Sequence, residues 1–193
     1  MKKLTITLTF LLLSIATLFA QFDATLFKTF RYSNVYDCDY SPLGNYFAIC
    51  NDKSMELFDK KFTKQWSYNK KSDKVCFSSD EKFAAFSYGS RRNIAIIRLS
   101  DFKIIKKFKR QSMVQDIAFS PNGKFFASSH WNGKLKIYQI NGNKFKKIAT
   151  LYHGHARFSF SPDGKYLAVG ASNHNMCIYE ITDTHFFLIS VHP

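Results

Sequence analysis

One short stretch constrains the chain more than any other: Phe160-Ser161-Pro162-Asp163-Gly164-Lys165-Tyr166-Leu167-Ala168. It ends one apolar run, turns, and begins the next. Pro162 presets φ, Asp163 can bond back to the local backbone, and Gly164 supplies the positive φ a tight turn wants. The stretch recurs as Ser120-Pro121-Asn122-Gly123-Lys124-Phe125-Phe126-Ala127 and as Ser41-Pro42-Leu43-Gly44-Asn45-Tyr46-Phe47-Ala48. Ser78-Ser79-Asp80-Glu81-Lys82-Phe83-Ala84-Ala85 is a worn fourth copy without Pro or Gly. The four leading serines stand 37, 42 and 41 residues apart.

A period of about 40–45 residues is the size of one four-stranded propeller blade. Laid on that ruler, the chain predicts an all-β fold, a β-propeller of four four-stranded antiparallel blades over 33–69, 72–110, 113–151 and 155–191. Trp131-Asn132-Gly133-Lys134 and Asn141-Gly142-Asn143 are strong hairpin signals. The innermost strands read as mostly apolar, which predicts burial on both faces. The outer strands alternate, as in Phe102-Lys103-Ile104-Ile105-Lys106-Lys107-Phe108-Lys109, and place lysines at the rim, where they oppose edge-to-edge pairing. An additional strand is predicted over Ala24–Tyr32, without a fixed place in the four units.

Residues 1–20 are set apart from the fold. Lys2 and Lys3 precede an apolar run from Leu4 to Leu18, and small residues follow at Ala16 and Ala20. This is the pattern of a cleaved secretory signal peptide, too short for a stable membrane span. Cleavage after Ala20, or after Ala16, predicts a secreted or periplasmic chain; an uncleaved anchor is the other reading. Cleavage after Ala20 lowers the formal charge from +14 to 14 − 2 = +12. A positive surface of that size favours anionic partners, although the charge is scattered and suits a solvated lysine-rich rim equally well.

The four cysteines, Cys38, Cys50, Cys76 and Cys177, have no CxxC or metal-ligand spacing. Cys38 and Cys50 flank the first turn, so a disulfide between them is one expectation. The other is that Cys50 fills a column that wants a small residue, shared with Ser87, Ser129 and Gly170. No cofactor loop, nucleophile elbow or metal set stands out, so no cofactor and no metal are predicted.

The four units resemble WD40 repeats. Gly154-His155 matches the family's Gly-His pair, and Asp52, Asn132 and Asn173 stand where its structural Asp stands. Phe58-Asp59, Tyr138-Gln139 and Tyr179-Glu180 occupy the Trp-Asp position; in the second unit Arg98-Leu99 is expected there. The resemblance implies that His155, Asn173, Asp52 and Asn132 belong to a structural hydrogen-bond network rather than to catalysis. Members of the family usually close with more blades. Three outcomes are therefore open: a longer propeller of which this is part, a pair of chains making about eight blades, or a four-blade ring.

The function that follows is a non-catalytic protein-interaction scaffold exported from the cytoplasm. Its partners are other proteins, anionic ones among them, with no specific nucleic acid. The contact residues expected are Trp131, Arg91, Arg92 and His174, on loops at one end of the blades. The alternative is an exported propeller enzyme, or a periplasmic propeller that binds a ligand or polyanion. It requires carboxylates converging on the central channel, from Asp37, Asp39, Asp73 and Asp116, of which Asp37 and Asp116 share a column.

Overall fold

The turns fix the phase of every strand. In each copy the serine hydroxyl accepts the N–H of the residue five positions on: Tyr46 bonds Ser41, Phe83 bonds Ser78, Phe125 bonds Ser120 and Tyr166 bonds Ser161. In three copies the same hydroxyl donates to the side chain two positions on, Asp80, Asn122 or Asp163. Glu81 adopts a φ of 51° where Gly44, Gly123 and Gly164 adopt 74°, 70° and 70°. Left-handed backbone is costly for a residue with a Cβ, and Glu81 has a use that offsets the cost. Its carboxylate accepts the Leu43 N–H at 2.8 Å and the Asn45 side-chain amide at 2.7 Å. Leu43 is the one turn residue with no acceptor of its own, and the neighbouring turn supplies it.

The structure, a computed structural model, describes residues 28–109, 112–153, 157–170, 175–182 and 185–192. Residues from Tyr32 onward form one compact unit. Its described residues form sixteen strands: β1 (Val35–Tyr40), β2 (Tyr46–Asn51), β3 (Met55–Asp59), β4 (Lys64–Tyr68), β5 (Ser72–Phe77), β6 (Phe83–Tyr88), β7 (Asn93–Arg98), β8 (Lys103–Phe108), β9 (Val114–Phe119), β10 (Phe125–His130), β11 (Lys134–Asn141), β12 (Lys144–Tyr152), β13 (Arg157–Phe160), β14 (Tyr166–Gly170), β15 (Met176–Ile181) and β16 (Phe186–His192). They pair in chain order as four separate four-stranded antiparallel sheets, blades one to four, as the repeat predicts. Among the described residues no helix is long and apolar enough to cross a membrane.

Adjacent blades pack face to face. The face a blade turns to its successor is its front, and the face turned to its predecessor is its rear. Ala48, Cys50, Met55 and Leu57 on the front of blade one meet Val75, Phe77, Ala84 and Phe86 on the rear of blade two. Phe83, Ala85, Ile94 and Ile96 meet Ile117, Phe119, Phe126 and Tyr138 in the next joint. Phe125, Ala127, Leu135 and Ile137 meet Phe158, Leu167, Val169 and Tyr179 in the third. Each front therefore presents an alanine flanked by an aromatic and a small residue on its second strand, and two aliphatics on its third. Area removed from water at these joints, worth about 25 cal/mol per Å², is the main stabilising term.

Four expectations change. The strands buried along their whole length are second strands, β6 and β10, not the innermost ones. A second strand is flanked on both edges, whereas an innermost strand keeps one free edge: β5 and β9 are a mixture of buried and half-buried residues, and only β1, in the first blade, is largely open. Residues 28–32 form no strand, and the rest of the predicted Ala24–Tyr32 strand lies outside the described residues. Cys38 lies across from Ile49 and Asp37 across from Cys50, so the two cysteines occupy opposite faces and both are free thiols. In blade two the register puts Ile97-Arg98, not Arg98-Leu99, in the column of Phe58-Asp59.

The sheets share a feature the repeat does not announce. A bulge interrupts the third and fourth strands of every blade at the same column: Leu57/Phe58, Ile96/Ile97, Ile137/Tyr138 and Ile178/Tyr179. Bulges bend a strand and strengthen its twist.

Candidate functional site

Among the described residues, the residues leading into blades two and three and the turns between the second and third strands of those blades lie at one end of the unit, stitched by backbone bonds. The Gly89 N–H donates to Lys71 O at 3.0 Å, Val114 to Arg91 O at 2.7 Å, Trp131 to Met113 O at 2.8 Å and His153 to Gly133 O at 2.9 Å. This end is a braced rim rather than a set of independent loops.

On blade three this end carries three exposed apolar residues. Trp131 is 50% exposed, Met113, whose carbonyl holds the Trp131 N–H, is 37% exposed, and Tyr152 is 70% exposed. The Lys134 ammonium sits 5.6 Å from the Tyr152 ring centroid. Large apolar groups held on a rigid backbone lose little entropy on docking, which is why such residues anchor interfaces.

The four predicted contact residues separate. Trp131 is open, and Arg92 is exposed on the β6–β7 turn. Arg91 adopts a φ of 62° and its Nε bonds Asp73 Oδ1 at 3.2 Å. Asp73 is 2% exposed and its Oδ2 has no partner, so Arg91 neutralises a buried carboxylate. His174 lies outside the described residues. Sequence reasoning missed Met113 and Tyr152 because neither stands in a turn motif; their link to Trp131 is a matter of loop pairing.

The predicted structural network is only partly described, since His155 and Asn173 lie outside the described residues. Asp52 accepts the Ser33 hydroxyl at 2.7 Å. The first blade's turn is held instead by the buried Asn51, whose Oδ1 accepts the Lys53 and Ser54 N–H groups at 2.8 Å each. Asn132 is exposed on its turn. Two other histidines make the interior bonds. His130, 1% exposed, donates from Nδ1 to the Ser112 carbonyl at 3.1 Å, which leaves Nε2 to accept the Ser128 hydroxyl at 3.0 Å. Burial holds it down at about 4. His153 Nε2 meets the Tyr179 hydroxyl at 2.5 Å, in the Trp-Asp column.

The innermost strands carry the carboxylates that the enzymatic alternative needs. Opposite Cys50, Ser87, Ser129 and Gly170 stand Asp37, Lys74, Asp116 and Arg157, one column of alternating sign. Asp37 and Asp116 do share it. Desolvation, then the charge of Asp37, raises Asp39 from an ordinary value near 3.8 to about 6. Desolvation likewise raises Asp116. However, Asp37 Oδ2 accepts the Val75 N–H at 3.1 Å and Asp39 accepts that of Phe77. These carboxylates satisfy the free inner edge of the next blade, as a buried N–H requires. Among the described residues no three His, Cys, Asp or Glu side chains form a group able to hold a metal.

At the opposite end, a cleft of about 810 Å³ lies between the turns of blades one and two. Tyr46 and Phe102 line it, with Lys60, Lys61, Lys82 and Arg98 around it. Its two acids are occupied: Asp59 accepts the Lys61 and Thr63 N–H groups, and Glu81 holds the turn of Leu43.

Comparison with known proteins agrees with this geometry. A family model described as WD domain, G-beta repeat matches residues 24–59 and 145–180. One described as anaphase-promoting complex subunit 4 WD40 domain matches 75–156. No curated protein sequence matches the chain significantly. Among solved structures, a candidate 6-phosphogluconolactonase from Bacteroides fragilis superposes with a TM-score of 0.66 at 19% identity, over 81% of this chain and 53% of its own. A protein of unknown function from Desulfotomaculum acetoxidans gives 0.69 at 12%, over 83% and 56%. Hydrazine synthase of Kuenenia stuttgartiensis gives 0.61 at 17%, over 81% and 61%. These likenesses carry the fold alone, and the chain spans little more than half the length of the first two.

Proposed function

Since the chain belongs to the WD40-repeat family and folds as four propeller blades, we propose that it is a non-catalytic binding module that holds another protein on the rim of blade three. The observation that carries this reading is the exposure of Trp131, Met113 and Tyr152 at one end of blade three, with the Trp131 N–H held by the Met113 carbonyl and Tyr152 paired with Lys134. Arg92 and Lys134 add positive charge to the same end, which favours a partner with acidic groups around an apolar contact. Binding of a partner recovered on the immobilised chain tests the reading. Trp131→Ala is expected to weaken it at least tenfold, and Leu43→Ala, on the opposite end and 69% exposed, to leave it unchanged. Equal binding by both variants and the parent overturns the rim.

We infer in addition that residues 1–20 direct the chain out of the cytoplasm, on the strength of Lys2, Lys3, the apolar run and Ala20. A second reading, a site for a polyanion, has the cationic cleft between blades one and two in its favour. Its signature is affinity that falls steeply with salt and is lost on Lys61→Glu rather than on Trp131→Ala.

A further inference from the structure

The joint between blades one and two gapes at the end opposite the rim, and the strand register explains why. Phe145 pairs with Ile140 and Phe186 with Ile181; Phe102, one residue before Lys103, holds the matching position of blade two. Each of these rings meets, edge to face, an aromatic ring on the front of the blade before it. The centroid distances are 6.3 Å for Phe102 and Tyr46, 5.6 Å for Phe145 and Phe83, and 5.8 Å for Phe186 and Phe125. In blades three and four the phenylalanine lies within the outer strand, and Phe83 and Phe125 are only 6% and 1% exposed. The hairpin of blade two stops short, at Arg98 and Lys103, which leaves Phe102 in the turn with a φ of 53° and Tyr46 half-buried. A cleft of about 810 Å³ remains over these two rings, against about 310 Å³ at the same place in the next joint, beside Phe83 and Ile140.

The lining states what would fill it. Tyr46 and Phe102 form a half-open aromatic floor. Asn45 and Gln65 stand beside it, each donating an amide N–H to a carboxylate, Glu81 at 2.7 Å and Asp59 at 2.9 Å. Those bonds fix both side chains and leave their amide oxygens to accept. The exposed Ser100 adds a hydroxyl. Of the cations around the cleft, Lys82 is engaged by Asp80 at 2.9 Å and Arg98 by Asp101 at 2.6 Å. Lys60 and Lys61 are exposed and form no ion pair with another described residue.

A sugar ring has the matching chemistry. Its C–H face lies against the negative face of an aromatic ring, and its hydroxyl edge donates to amide oxygens. A purely apolar ligand would bury those oxygens unpaired, at a cost. A bare phosphate chain would make no use of the floor. Lys60 and Lys61 at the mouth call for negative charge on the sugar, and the volume lies in the range of ordinary ligand sites.

We propose that this cleft binds a chain of acidic sugars, with one ring over Tyr46 and Phe102 and a carboxylate on Lys60 and Lys61. The assignment rests on the polyanion reading of the same cleft and gives it a ligand class.

Titration calorimetry of the purified chain tests it with four probes: an oligogalacturonate, a neutral cello-oligosaccharide of equal length, polyphosphate and a single-stranded oligonucleotide. Saturable binding of the oligogalacturonate is expected, with the neutral chain about tenfold weaker or more. Lys61→Glu, and Ser100→Trp, which fills the mouth from an exposed position, should each weaken it to a similar degree without moving the melting temperature. Phe102→Gly should do the same, since glycine suits a φ of 53° and only the ring is lost. Lys165→Glu, the same charge change on the exposed turn of blade four, should leave binding unchanged. Equal affinity for the neutral chain overturns the acidic ligand. Binding of polyphosphate or the oligonucleotide without the acidic sugar overturns the ligand class and leaves the polyanion reading standing, and binding of none overturns both. Acidic-sugar binding that survives Lys61→Glu and Ser100→Trp overturns the cleft as its site.

Discussion

The Asp37 carboxylate accepts the backbone N–H of Val75 at 3.1 Å, across the gap between the first two blades. Asp39 does the same for Phe77, and Cys76 for Phe119 of blade three. An innermost strand has a free edge of unpaired N–H groups, and the preceding blade supplies acceptors for it. This bonding gives the inner carboxylates a structural occupation, and it has a consequence in pH.

Asp39 titrates near 6 in the folded chain and near the ordinary carboxylate value of about 3.9 when unfolded. The folded state keeps the proton longer, so this residue lowers stability as pH rises from about 4 to about 6. His130 titrates at about 4 when folded against about 6.5 when unfolded, so its contribution is lost as pH falls from about 6.5 to about 4. The two slopes oppose each other. Urea midpoints between pH 4 and 7 are expected to vary little in the parent. With Asp39→Asn, which keeps an oxygen for the Phe77 N–H, stability should fall on acidification. With His130→Gln it should rise. Identical pH slopes in parent and variants would contradict the assignment.

The turn that recurs through the chain is expected to be most sensitive at Gly164. A Cβ there would strain a φ of 70° and would collide with the Asn122 side chain, whose amide donates to Gly164 O at 3.2 Å. Gly142 has a φ of 54° and open space around it. Gly142→Ala should cost about 1 kcal/mol, the ordinary penalty of left-handed backbone, and Gly164→Ala measurably more. Equal urea midpoints for the two would contradict the contact between the third and fourth turns.

Phe86 lies fully buried on the rear of blade two, with Trp66 5.9 Å and Tyr68 5.3 Å away between ring centroids. Phe86→Ala should lose about 3–5 kcal/mol in equilibrium unfolding, far more than an exposed aromatic such as Tyr152→Ala. A loss under about 1 kcal/mol would mean that the joint between blades one and two is not cooperative.

Residues 1–20 carry a prediction of their own. Protein recovered from outside the cytoplasm should begin at Gln21 by intact mass, or at Thr17 if cleavage follows Ala16. A full-length chain retained in the cytoplasm would contradict export.

Much of the fold could be read before the structure, because the leading serine repeats for a physical reason: its hydroxyl closes the turn and sets the register of the strands on either side. That bond explains why even the worn copy at Ser78 keeps its serine. What escaped the reading depends on partners distant in sequence. Glu81 looks like the loss of a turn glycine until Leu43 is seen bonded to it. Arg91 looks like a free surface cation until the buried Asp73 appears beside it. The apolar inner strands suggested two buried faces, which β5 and β9 largely have and β1 does not. At the rim, Trp131 stood out in its turn, while Met113 and Tyr152 became part of the same surface only through the pairing of loops.

Binding at that rim is tested most directly by photo-crosslinking. A benzophenone amino acid placed at position 131 should capture a partner protein in the compartment where the chain resides, and the same group at position 43, on the opposite end, should not. Capture at 43 with none at 131 would contradict the rim of blade three as the binding surface.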